Sequence, residues 1–115
     1  MEREIKSIFK NFKVNEKSIP VEHLRYKGKL KTFVTWTLLS ERPSLNANDE
    51  TLYSVVEVDI DVFSDGNYLD IVKEVKKIMK ESKWLWVEDS SEMFEEDTEL
   101  YHKTITFEKE RFTDG

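Results

Sequence analysis

Residues 56 to 62 read Val-Glu-Val-Asp-Ile-Asp-Val. Successive side chains of a strand point to opposite sides, so Val56, Val58, Ile60 and Val62 share one face and Glu57, Asp59 and Asp61 share the other. A chain holding such a strand must bury one face of a sheet and leave the other to water, the habit of an antiparallel sheet covered on one side. The pattern predicts a strand from Leu52 to Phe63.

The rest of the chain supplies what that face needs. Tyr68, Ile71, Val72, Val75, Ile78 and Met79 form an apolar stripe at helical spacing, predicting a helix from Tyr68 to Glu81. Asn67 or Asp65 is available as its cap, and its lysines gather toward the C-terminal half, where the macrodipole favours them. Ile5, Ile8, Phe9 and Phe12 predict a shorter amphipathic helix from Glu2 to about Lys13. At about three turns it is not stable alone and must dock. Val21, Leu24 and Tyr26 suggest a short strand, and Lys27-Gly28-Lys29 marks a turn. Leu30 to Leu39 reads as a strand with Val34, Trp36 and Leu38 on one face. Ser40 to Thr51 is a polar connection joining it to the Leu52–Phe63 strand as a long-tipped hairpin. Trp84 to Val87 is a short strand, Glu88 to Glu99 an acidic loop, Leu100 to Phe107 a last strand and Glu108 to Gly115 a charged tail. The expected fold is therefore α+β: an antiparallel or mixed sheet of 4–5 strands with two helices on one face, in the order α-β-β-β-α-β-β, as one domain over residues 1–115.

Composition narrows the chemistry. A net charge of −6 repels nucleic acid and gives no basic footprint for duplex binding. No cysteine is present, so disulfides, thiolate zinc sites and cysteine nucleophiles drop out. The charged N-terminus lacks the apolar stretch of a signal peptide, and no apolar run nears the roughly 20 residues that cross a bilayer. Together these suggest the cytosol. Seven Phe, four Tyr and three Trp argue for a folded core despite the high charge.

Candidate sites of chemistry are few. His23 and His102 have no neighbouring ligand at metal-binding spacing, and read as ordinary surface or half-buried histidines. Asp59, Asp61 and Asp65 begin like a calcium loop, but the twelfth position from Asp61 is Val72, so they read as a solvated strand face. Three glycines leave no phosphate cradle. No catalytic residue, cofactor site or metal site is expected. Contact surfaces are the better candidates. Glu88, Asp89, Glu92, Glu95, Glu96, Asp97 and Glu99 put seven acids in twelve residues, with Met93 and Phe94 among them. The bland reading is a mobile loop; the sharper one is an arm that docks on a basic surface with Phe94 as apolar anchor. Trp84-Leu85-Trp86-Val87 is apolar on both faces, as a strand buried on both sides or at a subunit contact would be.

The order of pieces resembles the small tail-terminator and head–tail joining proteins of long-tailed bacteriophages and of prophages in Gram-positive bacteria. The resemblance is carried by the short N-terminal helix, by IPVEHLRYKG, by FVTWTLLSERPSLNANDE and above all by YSVVEVDIDVFSDGNYLDIVKEVKKIMKES before WLW, over residues 2 to 112. It implies an α/β fold without enzyme activity and a ring, hexameric in that family, that caps the tail tube and meets the head connector. The implied partners are further copies of the chain, the tail tube and head-connector proteins, with neither a membrane nor sequence-specific nucleic acid. The implied location is the host cytoplasm during assembly and then the virion tail. The family brings no active-site residues. Its contact segments map onto the connection with Arg42, Asn46 and Asp49 and onto the acidic stretch with Glu92, Phe94, Glu95, Glu96 and Asp97, beside Trp84 and Trp86. The alternative is a small monomeric acidic binding module, an adaptor or inhibitor.

Overall fold

A computed structural model describes residues 2–43 and 53–112. Among these residues two helices, α1 (Glu2–Ile8) and α2 (Leu69–Glu81), accompany eight strands: β1 (Lys13–Val14), β2 (Lys17–Ser18), β3 (Val21–His23), β4 (Phe33–Pro43), β5 (Tyr53–Ser64), β6 (Leu85–Asp89), β7 (Met93–Glu95) and β8 (Leu100–Phe112). The class is mixed α+β, as expected, but strands are more numerous than the 4–5 read from the sequence. Among the described residues the main sheet has six, ordered β3-β4-β5-β8-β6 with β7 also on β8, and β1 and β2 form a separate hairpin. The element order is α-β-β-β-β-β-α-β-β-β rather than α-β-β-β-α-β-β.

β5 is the axis of the sheet. β4 pairs with it antiparallel from Phe33↔Phe63 to Pro43↔Ser54, and β8 antiparallel from Ser64↔Tyr101 to Tyr53↔Phe112. Its alternation does what the sequence demands. Val56, Val58, Ile60 and Val62 are fully buried and join Ile71, Val72, Val75 and Met79 of α2 and Ile5 of α1 in one core, completed by Phe9, Phe12, Val34, Trp36, Trp84, Ile105 and Phe107. Glu57, Asp59 and Asp61, expected on a solvated face, are only half-exposed because neighbouring strands crowd them.

Several boundaries differ for physical reasons. α1 ends at Ile8 because Asn11 adopts a left-handed backbone (φ 57°) and turns the chain, though Phe9 and Phe12 stay buried with rings edge to face at 5.3 Å. The polar stretch from Asn15 is a tight hairpin turn: Asn15 and Glu16 both have positive φ, the geometry that two-residue hairpin loops require. β4 runs on to Pro43 with a bulge between Leu38 and Ser40, and Leu38, read on the same face as Val34 and Trp36, is exposed at that bulge. The remainder of the Ser40–Thr51 connection lies outside the described residues. The acidic stretch is no free loop, since β6 and β7 pair with β8 at its two ends. Glu108–Phe112, read as a charged tail, continues β8 against the start of β5. Asn67 does serve the start of α2, its Oδ1 accepting from the Leu69 backbone N–H at 3.1 Å.

Ile60 has no exposed surface, at the centre of β5. Ile60→Ala is expected to lower the unfolding free energy by roughly 3 kcal/mol through lost burial and the cavity left behind. Urea denaturation measures this, and a loss below about 1 kcal/mol would contradict the packing described.

Candidate interaction edges of the sheet

The sheet presents two unlike edges. On one, β6 and β7 lie end to end along β8, bridged at Ser90, whose N–H donates to the Thr104 carbonyl and whose Oγ accepts from the Thr104 N–H. Leu85, Trp86 and Val87 follow one another there at 65%, 59% and 43% exposure. A bulge between Trp86 and Glu88 interrupts the pairing. Trp86 is held in place: its Nε1 donates to Asp89 at 2.8 Å, and the Lys76 ammonium of α2 sits 4.6 Å above its ring. Burial acts most strongly on the Asp89 carboxyl and would raise its pKa. Hydrogen bonds from Lys76 and Trp86 and the charges of Lys76 and Lys103 together outweigh it, so the pKa lies below the ordinary value. This tie of β6 to α2 is therefore present above the usual carboxylate range and is lost in acid. Beyond β7 the chain turns through Glu95–Glu99, closed by the Glu99 N–H donating to the Glu95 carbonyl at 2.7 Å, with Glu99 left-handed at φ 60°.

The opposite edge is shorter and basic. β3 pairs parallel with β4 over Val34–Trp36 only. From Thr37 to Pro43 the outer side of β4 has no strand beside it among the described residues, and Leu38 and Leu39 are exposed there. Between β3 and β4 the chain carries Arg25, Lys27, Lys29 and Lys31 with no acid among them, all exposed. Tyr26 shapes this segment. Its ring stacks on Phe33 at 4.6 Å, and its hydroxyl accepts from the Leu30 N–H at 3.2 Å. Gly28 leaves room for that ring, since a Cβ there would collide with the Tyr26 hydroxyl.

Between the edges, the helix-free face is a row of cross-strand pairs. Phe33, Phe63 and His102 stack in turn at 4.7 and 4.1 Å. Asp61 Oδ1 receives both His102 Nε2 at 2.9 Å and Thr104 Oγ1 at 2.5 Å, and Asp59 receives Thr106 Oγ1 at 2.6 Å. The histidine and the threonine both reach one carboxylate oxygen, and the Thr104 hydroxyl also lies 3.5 Å from His102 Nε2, so the three side chains form one cross-strand hydrogen-bonded cluster. The sequence could not reveal these pairs, because residues about 40 apart meet only through the β5–β8 register. His23, read as an isolated histidine, lies flat on Trp36 at 4.0 Å.

The expected contact residues separate. Trp84 is corrected: it is buried at 2% exposure, its Nε1 donating to Glu4 at 3.1 Å. The cause is the end of α2, where Lys83 turns left-handed and the Trp84 N–H bonds back to the Met79 carbonyl, dropping the indole into the core. Trp86, Phe94, Glu92, Glu95, Glu96 and Asp97 all lie exposed along the β6–β7 edge and its turn. Phe94 leans on Tyr101 at 5.2 Å, and Glu92 accepts from the Tyr68 hydroxyl at 2.6 Å. Arg42 reaches across the helix-free face to Glu57 at 3.5 Å and Glu108 at 3.4 Å. Asn46 and Asp49 lie outside the described residues. Of the uncovered half of β4 only Arg42 was among the expected contacts, and the basic segment was not; four basic residues at alternate positions from Arg25 to Lys31 were the available signal. Among the described residues, no group of three or more His, Cys, Asp or Glu could hold a metal, and no helix is long and apolar enough to cross a membrane.

Two measurements probe this arrangement. Burial raises the Asp59 pKa, with help from Asp61, Glu57 and Glu88 and against the Thr106 hydrogen bond. A carboxyl with a raised folded pKa favours the fold most below its unfolded pKa and loses that contribution as pH rises through the folded value. Asp59→Asn, which can still accept from Thr106, is therefore expected to raise the urea midpoint near about pH 7 and to lose that advantage near about pH 3. An equal effect at both pH values would contradict the assignment. Phe94→Ser is expected to change monomer stability by less than about 1 kcal/mol, because half of the side chain is already in water. Marked unfolding would place Phe94 in the core.

No curated protein matches the chain. Residues 3–111 match the family described as "Protein of unknown function (DUF806)". That span takes in all but the first residue of α1, the whole of α2 and of β1 to β7, and all but the last residue of β8, and the chain belongs to this family.

Proposed function

We propose that this chain is a structural component of a long-tailed bacteriophage or prophage, a tail terminator or head–tail joining protein that assembles as a ring of copies on the end of the tail tube and performs no catalysis of its own. The observation that carries the reading is the β6 edge, where Leu85, Trp86 and Val87 stand exposed in succession on a strand with an open side. Apolar side chains on an open sheet edge invite association, and a symmetric assembly covers such an edge in every copy at once. The structured acidic turn supports a role in choosing and orienting a partner through charge. It also favours the second reading, a monomeric module that presents this turn to a basic target.

The test is made on particles induced from a host that carries the gene. The chain is expected in the purified particles, at the head-proximal end of tails under gold-labelled antibody. Deleting the gene is expected to leave heads and tails unjoined. Normal joined particles that lack the chain would overturn the reading.

A further inference from the structure

We infer that copies of this chain join head to tail, the β6 edge of one copy lying antiparallel along the uncovered half of β4 in the next. This deepens the assembly reading proposed above and rests on it; its geometry comes from the two edges themselves.

Strand polarity comes first. β4, β5, β8 and β6 are each antiparallel to the next, so the outer two, β4 and β6, run in opposite directions. A second copy set beside the first in the same orientation therefore meets β6 with an antiparallel β4. The sheet then continues with all helices on one side, and repeated head-to-tail contacts close into a ring when the rotation permits.

Position along the strands agrees. Leu38 is in register with Val58, Phe107 and Trp86, and Ser40 with Glu57, Glu108 and Leu85. The exposed pair Leu38–Leu39 thus lies level with exposed Leu85–Val87 on the far edge. The same holds for charge. Phe33, which follows the basic segment, is in register with Phe63, His102 and Met93 of β7. The basic segment returns from Leu24, level with Trp36, to Phe33, so that Lys29 and Lys31 lie beside Ser64 and Asp65 near that level on one edge, and Glu95, Glu96, Asp97 and Glu99 follow β7 on the other. One placement therefore sets apolar against apolar and base against acid together. A two-fold pairing of β6 with β6 would leave the basic segment and the uncovered β4 half without partners.

Light scattering and sedimentation of purified variants decide the matter, with far-UV circular dichroism confirming the fold; every position changed is exposed. The wild-type chain is expected to assemble beyond a dimer with rising concentration. Glu95→Lys/Glu96→Lys/Asp97→Lys and Lys27→Glu/Lys29→Glu/Lys31→Glu should each weaken assembly by roughly tenfold or more, and both sets in one chain should recover it. Leu39→Asp and Leu85→Asp should each be monomeric, while their equimolar mixture forms a one-to-one dimer through the intact edges. A Leu39→Asp chain that dimerises alone would show two-fold β6 pairing and overturn the inference. So would a wild-type chain still monomeric at hundreds of micromolar, or a combined reversal that fails to recover. A wild type that assembles whatever is done to these edges removes the pairing and leaves the structural reading standing. Absence of the chain from particles removes that reading and leaves the pairing measurable.

Discussion

The central constraint is that β5 must be buried on one face along nearly its whole length. Twelve residues of alternating character need a strand on each side to satisfy their backbone, and β4 and β8 are long for that reason. The buried face then needs a lid, which α2 supplies with Ile71, Val72, Val75 and Met79 and α1 completes with Ile5. The opposite face receives no helix, so its polar side chains must satisfy one another across strands. That is why Asp59, Asp61, Thr104, Thr106 and His102 end in a shared hydrogen-bonded row.

An open sheet closed by neither barrel nor second layer keeps its two edges. In this chain they are not equivalent. Net charge of −6 hides a separation in which acid collects past β7 and base collects between β3 and β4, on opposite sides of four strands. Such a dipole across the sheet discourages like edges from meeting and favours unlike ones, a form of specificity that needs no shaped pocket. The bulges in β4 and β6 act in the same direction, since an irregular edge accepts only a strand that fits it.

Much of this architecture was legible in the residues. The alternation of β5 and the stripe of α2 fixed the class and the covered face, because both depend on local periodicity. What was not legible depends on register and on chain reversal. Trp84 read as one of a pair with Trp86, on a strand buried on both sides or at a subunit contact, and only the left-handed turn at Lys83 sets it in the core while Trp86 stays exposed. Asp61 and His102 looked unrelated until β5 and β8 were aligned. The acidic stretch read as a loop because nothing local says that Met93–Glu95 will find Leu100–His102. Of the proposed contact surface, the acidic half was visible as composition. The basic half looked like a turn, and its meaning depends on what lies across the sheet.

The Glu4 carboxylate accepts from the Trp84 indole at 3.1 Å and from the Lys109 ammonium at 2.6 Å, partners 80 and 105 residues away. Lys109 donates also to the Ser82 carbonyl at the end of α2. One anion thus ties the first helix, the end of the second and the last strand. During synthesis Glu4 leaves the ribosome long before its cationic partner does. Helix α1 therefore waits for the 105 residues that separate the two before this clasp can close, and its final locking follows the arrival of β8 rather than belonging to early folding.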